Sequence, residues 1–548
     1  MGHEVIERAL GFRLWAFGPD RLSRTHPRPS RAKGPRPARP RAQSPKPRAY
    51  GRPVLCAVAA LVLGVGLSAR QQPDAHNLAL VGYNDLQARS AYQPLVHQQG
   101  NRWIAYIGHH GGNKPNAITG KAENNGTSIV DVTDPRHPQY LAHIPGEEGE
   151  AEAGGAQMVR VCDGSTLPRA DKGKVYLLRT FGNAAHEIWD VTDPAKPSRV
   201  TVVVSGLRNT HKNWWECDTG IAYLISGDPA WRTRRMTKIY DLSDPLKPVF
   251  IRDFGLPGQQ PGATGPVPTE LHGPISLGPK ANRVYFGYGT SRAGVVQIVD
   301  REKLLRGPKE PTDANLLYPQ IARIDLPPDA GAHTVFPLLG MQLGEFAKQT
   351  LPADAPSAAG HEHSSEVTLP APQAHRDFIA VVSESLANEC QEPRQLVRMI
   401  DVTFETAPLG AATWTVPEAS GNFCGRGGRF GSHSSNENFT PIYYGRILFV
   451  AFFNAGLRAL DVRDPFNPKE VGYFIPATTD KTEKRCVAQA VSTGTPSRRS
   501  SDERCKVAIQ TNNVDVDDRG YIYIVDRANT GMHILEPTGE ARKIANFK

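Results

Sequence analysis

Short apolar runs and polar turns alternate in a repeating order through residues 77–548. Each unit has a leading run rich in β-branched and aromatic residues, then a second apolar run that in most units ends in aspartate. The leading runs lie at residues 103–107, 175–178, 221–225, 283–288, 378–382, 447–451 and 521–525. Short runs of this composition, bounded by turn residues, are typical of β-strands. Seven such units predict seven small antiparallel sheets.

The turn after the second run is nearly the same in four units. A phrase close to Asp-Val-Thr-Asp-Pro-x-x-Pro occurs within residues 129–138, 188–197, 239–248 and 459–468. Its first aspartate can accept a backbone N–H in an Asx turn, and the proline fixes the φ angle of the turn. We therefore predict a structural role, and no catalytic one, for these aspartates: Asp131, Asp190, Asp241 and Asp461.

A strand-and-turn unit that recurs about every fifty to sixty residues indicates a radial array of sheets. The predicted fold is all-β, a seven-bladed β-propeller of four-stranded antiparallel blades over residues 77–548. Residues 78–83 repeat the form of the outer strand at 469–474, so we expect an N-terminal strand to close the ring. A C-terminal strand at 541–547 is the alternative. Longer insertions are predicted at residues 301–319, 326–376 and 478–504.

The four Asp-Pro phrases and the closing segment at residues 512–527 resemble the LVIVD-repeat family of bacterial exported β-propellers, and the likeness extends over residues 77–537. The resemblance implies a secreted or cell-surface propeller. The family has no settled activity, so it assigns no catalytic residue to this chain. The fifth unit departs from the phrase, with Thr403, Phe404 and Glu405 in place of Asp-Pro, which alters the turn without affecting the expected fold.

The formal net charge of +9 comes from the N-terminal region. Residues 1–52 hold 13 Lys and Arg against 3 Asp and Glu, which leaves 51 against 52 in the rest of the chain. The predicted propeller is therefore close to neutral, and its charge does not indicate nucleic-acid binding. Residues 1–52 are rich in arginine and proline and are expected to be disordered.

Residues 53–70 form a short apolar run flanked by arginines, which is typical of a signal peptide. If the run is not cleaved, it is a signal anchor, and the anchor is then the only expected contact with a membrane. A signal so far from Met1 also permits another interpretation, in which translation starts downstream and residues 1–52 are not part of the protein. The expected location is secreted, periplasmic or at the cell surface.

Cysteine use agrees with export. Cys56 lies in the apolar run, and the six others favour pairing between neighbours: Cys162 with Cys217, Cys390 with Cys424, and Cys486 with Cys505. Six cysteines allow 15 connectivities, so the order alone does not fix the pairing. Free or metal-bound thiols are the alternative, although the chain has no Cys-x-x-Cys spacing.

Histidine recurs ahead of the leading run in four successive units, as His211, His272, His363 and His433. If these side chains converge at the central channel, they form a transition-metal site suited to Fe, Cu or Zn, with Glu437 as a candidate general base. Alternatively, each imidazole is a buried polar group hydrogen-bonded to the next blade. The pair His109 and His110 is a weaker ligand set, because adjacent residues in a strand point to opposite faces.

Two functions follow from these patterns. The first is an exported binding or scaffold module, expected to be monomeric, that presents a channel mouth and loop insertions to an unknown protein or small-molecule ligand. The second is a metal-dependent enzyme, an oxidoreductase, with its multi-histidine site at the channel. The sequence has no nucleophile elbow, phosphate loop or His-Glu-x-x-His motif that would favour another catalytic class.

Overall fold

The computed structural model describes residues 72–343, 349–350, 366–367, 375–488 and 503–547. Seven antiparallel sheets form a ring of seven blades, as predicted. The N-terminal segments at residues 1–52 and 53–70 lie outside the described residues.

Each blade has four strands, numbered here from the axis outward. Blade one contains Ala91–Gln99, Arg102–Gly111, Thr127–Asp131 and Gln139–Ile144; blade two, Val159–Asp163, Val175–Phe181, Ala185–Asp190 and Ser198–Val204; blade three, Asn213–Trp215, Ile221–Ser226, Met236–Asp241 and Val249–Phe254. Blade four contains Leu271–Ser276, Arg283–Tyr288, Val295–Asp300 and Gln320–Asp325; blade five, Thr334–Gln342, His375–Val382, Val397–Asp401 and Leu409–Trp414. Blade six contains Ser434–Ser435, Ile447–Ala451, Leu457–Asp461 and Lys469–Ile475; blade seven, Thr511–Val516, Ile522–Asp526, Gly531–Pro537 and Leu78–Asn84.

The ring is closed by the N-terminal strand. Leu78–Asn84 pairs antiparallel with Gly531–Pro537 and becomes the outermost strand of blade seven. A short strand before it, Asp74–His76, adds a fifth strand to blade six. The alternative closure is wrong, because the chain near its C-terminus forms a helix, Gly539–Ile544, instead of a strand.

Both faces of a blade are buried, which explains why the leading runs are continuously apolar. In the second strand of blade one, Ile104 and Tyr106 pack with residues of blade two, whereas Ala105 and Ile107 pack with residues of blade seven. The period-two alternation of a strand therefore directs apolar side chains to two different cores.

The Asp-Pro phrase forms the predicted turn. Oδ1 of the first aspartate accepts the backbone N–H two residues on, at 2.8–3.1 Å, in Asp131, Asp190, Asp241, Asp401 and Asp461. In blades one to six, the third strand ends in aspartate. Its pairing with the fourth strand shifts register shortly before that aspartate, as between Met399 and Ile400. The repeated phrase thus forms the turn between the third and fourth strands, the two strands farthest from the axis.

The predicted leading runs are the second strands of their blades, not the first. The innermost strands precede them, and several are polar or very short, as are Thr511–Val516 and Ser434–Ser435. The predicted insertion at 326–376 contains one of these innermost strands, Thr334–Gln342, and the chain leaves the described residues shortly after it. In blade five, a long stretch of chain therefore separates the first strand from the second.

The remaining elements are short. The described helices are Gly278–Ala281, Arg301–Arg306, Asp313–Leu317 and Gly539–Ile544, with 3₁₀ turns at Leu86–Ala88, Glu418–Ser420 and Phe423–Gly425. Ala151–Ala156 pairs with blade one, and two-stranded hairpins pair Asn113–Pro115 with Ala122–Asn124, Gln349–Thr350 with Glu366–Val367, and Lys484–Ala488 with Glu503–Val507. None of the helices in these described ranges has the length and apolarity to cross a bilayer.

Three disulfides connect the predicted neighbours. Cys162 is bonded to Cys217, Cys390 to Cys424, and Cys486 to Cys505. The first joins blades two and three near their inner strands. Such bonds are typical of proteins that fold in an oxidising compartment.

Candidate metal centre

Every blade contributes one side chain to the axis, from the residue just before or at the start of its innermost strand. In blade order these residues are Tyr92, Gln157, His211, His272, His333, His433 and Asn512, and each is at most 2% exposed. Backbone hydrogen bonds to the second strand hold the positions. The N–H groups of His211, His333 and His433 donate to the carbonyls of Ile225, Val382 and Ala451 at 2.9–3.1 Å. The ring is thus a rigid scaffold that presents buried polar groups from seven blades at one place.

The four imidazoles lie side by side in blade order. The ring centroids are 4.5 Å apart between His211 and His272, 3.8 Å between His272 and His333, and 4.4 Å between His333 and His433. Tyr92 completes the circle, 5.8 Å from His433 and 5.4 Å from His211. Side chains from blades one, three, four, five and six therefore meet at the axis.

Hydrogen bonds to Nδ1 fix the orientation of three imidazoles. His211 Nδ1 lies 3.1 Å from Gln157 Oε1, and His433 Nδ1 donates to the carbonyl of Asn512 at 2.5 Å. His333 Nδ1 lies 3.0 Å from Thr334 Oγ1, which also accepts from Lys212 Nζ at 3.1 Å. Because the oxygens of Gln157 and Asn512 only accept, Nδ1 carries the proton in His211 and His433 and Nε2 carries a lone pair. The Thr334 hydroxyl can donate or accept, so its bond orients the His333 ring without selecting a tautomer.

Nε2 of His211 faces two neighbouring side chains at the axis. His211 Nε2 lies 3.0 Å from His272 Nε2 and 3.1 Å from Tyr92 Oη. His333 Nε2 is buried without a hydrogen-bond partner among the described residues. Two nitrogens bound at right angles to one ion, each at about 2.1 Å, are about 3.0 Å apart, which matches the first of these distances.

A carboxylate completes the donor set. The oxygens of Glu384 lie 3.8 Å from His333 Nε2 and 3.7 Å from His433 Nε2. Ligand atoms of His272, His333 and Glu384 all lie within 4.8 Å of one another. Glu384 follows the second strand of blade five, so the ring brings it from the same blade as His333.

Burial keeps the imidazoles neutral. It lowers the pKa of His211, His272, His333 and His433 well below the usual value, and neighbouring cations such as Arg235, Lys212 and Arg527 lower it further. Burial also raises the pKa of Glu384. A neutral imidazole with a free Nε2 is the form that binds a metal ion.

Glu437 lies below the imidazoles in an ion-pair network. Lys212 Nζ donates to Glu437 Oε1 at 2.7 Å, and Arg160 donates to Oε2. Burial alone would raise the pKa of Glu437, but the two cations lower it to about 2. Its connection to the cluster is indirect, through Lys212 and Thr334 to Nδ1 of His333.

Three of the four predicted histidines, His211, His272 and His433, come together at the axis. His363 lies outside the described residues, and the axial residue of blade five is His333. His109 and His110 do point to opposite sides of their strand. His110 faces Tyr92, with ring centroids 5.0 Å apart, whereas His109 bonds Ser128 at 2.7 Å within the blade.

Sequence reasoning missed His333, Tyr92 and Glu384. One signal for His333 was present: residues 332–334 read Ala-His-Thr and residues 432–434 read Ser-His-Ser, a small residue, histidine and a hydroxyl residue in both cases. No comparable pattern marks Tyr92 or Glu384. Tyr92 lies in Ala-Tyr-Gln, without a histidine, and Glu384 lies after the second strand of its blade, where no repeated polar residue was expected.

Comparisons with known proteins do not indicate a function for this chain. No family model and no curated protein matches the chain. Solved structures that resemble it include three of Sqt1 from Chaetomium thermophilum, one of them bound to the N-terminus of the ribosomal protein L10. They cover 84% of this chain and 98–99% of their own, with 9–10% identity and TM-scores of 0.42–0.45.

Proposed function

We propose that this protein is a metal-dependent enzyme of the oxidoreductase class with its metal at the propeller axis. The ligands in this proposal are His272, His333 and Glu384, whose ligand atoms all lie within 4.8 Å of one another, together with Nε2 of the neighbouring His211 and His433. The observation that carries it is the cluster of imidazoles: the ring centroids of neighbours lie 3.8–4.5 Å apart, and three of the four rings are fixed by hydrogen bonds at Nδ1. Outer hydrogen bonds of this kind are the usual support of metal-binding histidines.

The donor set favours a first-row transition metal. Imidazole suits Fe, Cu and Zn, and the Glu384 carboxylate would offset one of the charges of the ion. A zinc ion bound by four of these groups would have no open position, as in structural zinc sites, whereas a six-coordinate iron bound by all five would retain one. We therefore place iron first, and a substrate would approach it beside Tyr92. Bound there, the ion would supply electron transfer or Lewis-acid activation.

The other residues of the site have positioning roles in this proposal. Gln157, Thr334 and Asn512 hold the imidazole rings. Glu437 pairs with both Lys212 and Arg160, and a carboxylate with a pKa of about 2 is a weak base, so we do not assign it proton abstraction.

Elemental analysis of the purified full chain tests the metal site. After expression with Fe, Cu and Zn supplied, we expect about one equivalent of one metal per chain, and at least a tenfold loss of occupancy in His272→Ala and His433→Ala. His186→Ala is the matched control, because His186 is buried in blade two and bonds Ser226 at 3.1 Å, away from the axis. A wild-type protein that remains metal-free after expression with each of the three metals would contradict the enzyme hypothesis and favour the binding module.

We also propose that the protein is exported and related to the LVIVD-repeat propellers. Three disulfides and the apolar run at residues 53–70 support export. Mass spectrometry of the mature protein from its native host should find an N-terminus near Arg70 and no free thiol. A reduced protein that retains residues 53–70 in the cytoplasm would contradict export.

A further inference from the structure

A chain of alternating charges lies next to the imidazole cluster. Arg429 contacts Glu384 at 2.9 Å, and Glu384 lies 3.8 Å from Arg527. Arg527 lies 3.8 Å from Glu152, which in turn faces Arg235 at 3.4 Å. These five side chains come from different parts of the ring and form one group, which we call the charged mouth: Glu152, Arg235, Glu384, Arg429 and Arg527.

The charged mouth contains three guanidinium groups and only two carboxylates. The neighbouring cations have carboxylate partners of their own: Arg234 lies 3.9 Å from Glu152 but faces Glu270 at 3.5 Å, and Arg485 faces Glu483 at 3.6 Å. The neutral imidazoles contribute no charge. The mouth therefore has one positive charge in excess, and a divalent ion at the axis would add two more.

Arg527 is the least satisfied member of the group. It is 8% exposed, its Nη1 is buried without a hydrogen bond among the described residues, and both of its carboxylate neighbours are beyond hydrogen-bond distance. A buried guanidinium N–H without an acceptor is costly, whereas a guanidinium bound by a carboxylate at hydrogen-bond distance is among the strongest pairs in proteins. The arrangement resembles an anion site that lacks its anion.

The mouth is close enough to the axis for its ligand to reach the cluster. Glu384 contacts Arg429 through Oε1, and its oxygens lie 3.7–3.8 Å from Nε2 of His433 and His333. Arg527 is the largest contributor after burial to the lowered pKa of both His110 and His433. An anion held by Arg527 and Arg429 would therefore lie beside the imidazoles.

We propose that the charged mouth binds the carboxylate of a small organic acid, held by Arg527 and Arg429 with Arg235 as the third cation. A carboxylate is favoured over phosphate because the metal-free mouth has an excess of one positive charge, and because the anions already in the group are planar carboxylates. If the proposed function holds, the organic acid is the substrate class of the enzyme, with its carboxylate oriented by arginine beside the metal. The anion site itself does not depend on the metal.

Titration of the chelator-treated, metal-free full chain with acetate tests the site, with inorganic phosphate and chloride at equal ionic strength as comparisons. We expect acetate to bind in the millimolar range and Arg527→Gln and Arg429→Gln each to weaken it about tenfold or more. Glu384→Gln should tighten it, because this change removes a competing carboxylate. Arg458→Gln is the control, since Arg458 is also buried but has a carboxylate partner within 3.3 Å, Glu470 in blade six.

Each outcome decides the proposal. No acetate binding to the metal-free chain, or stronger binding of phosphate than of acetate, overturns it. Equal binding by wild type and both glutamine variants also overturns it. If Arg527→Gln fails to fold, Glu384→Gln still tests the proposal, because acetate binding no tighter than that of wild type would overturn it. Acetate binding retained by a metal-free His272→Ala protein would support the anion site even where the metal proposal fails.

Discussion

Single hydrogen bonds at Nδ1 determine what the axial imidazoles can do. A histidine that donates from Nδ1 to a fixed acceptor keeps its Nε2 lone pair aimed in one direction, and the ring cannot turn without breaking that bond. Gln157 does this for His211, and the carbonyl of Asn512 does it for His433. The residues that flank the cluster therefore matter as much as the histidines.

Gln157→Leu is expected to weaken metal binding by about 10–100-fold, the usual effect of removing an outer hydrogen bond from a metal ligand. Leucine retains the apolar volume but cannot accept the Nδ1 proton of His211. Competition with a chromophoric chelator measures the affinity.

Gln297→Leu is the control for that experiment. Gln297 is fully buried in blade four and accepts from Tyr288 at 2.8 Å, so the change removes a buried amide away from the axis. Equal affinities in the two variants would show that the bond between Gln157 and His211 has no role in binding.

At the scale of the strands, sequence pattern and structure agree where apolar packing decides. The second and third strands are buried on both faces, and an Asx turn follows the third strand in five blades, so their residues carry a strong signal. The innermost strands lie at the axis among polar side chains, and in blade six only Ser434–Ser435 pairs regularly. Apolar pattern therefore predicted the blades but not the strands that hold the site.

The assignment of His363 illustrates the same limit. Residues 363–365 repeat the His-Ser-Ser of residues 433–435, and His363 lies closer to the leading run of blade five than His333 does. The long separation between the first two strands of that blade made the nearer histidine the better match. The pairing of Thr334 with Val382, and the ring contacts of His333 with His272 and His433, identify His333 as the axial residue.

Removal of the closing strand should destabilise the ring. A chain that begins at Asp85 lacks Leu78–Asn84, loses the burial of Leu78 and exposes the edge of Gly531–Pro537. We expect its free energy of unfolding to fall by roughly 3–5 kcal/mol, with a greater tendency to aggregate. Urea denaturation followed by tryptophan fluorescence measures the change.

A chain that begins at Asn77 is the matched control. It loses only Asp74–His76, whose residues are exposed and add a fifth strand to a complete blade. Similar losses in the two truncated chains would contradict a specific role of Leu78–Asn84 in closure.

At the scale of the whole molecule, the ring brings together residues that are far apart in sequence. Tyr92 and His433 are more than three hundred residues apart, yet their ring centroids are 5.8 Å apart. Glu384 approaches His433 from another blade in the same way. The recurrence of histidine along the chain indicated candidate metal ligands. Their convergence depends on the radial arrangement of the blades and could not be predicted from the spacing of the histidines in the sequence.

An ion bound at the axis would link blades three, four, five and six directly, so metal and stability should be coupled. A ligand that binds only the folded state stabilises it by about 4 kcal/mol when its concentration is a thousand times the dissociation constant. We expect denaturant unfolding of the metal-loaded protein to require a correspondingly larger free energy than that of the chelator-treated protein. His186→Ala should retain this difference and His272→Ala should lose it. Stabilisation of His272→Ala by metal to the same extent as wild type would place the ion elsewhere, because the remaining imidazoles could not bind it with unchanged affinity.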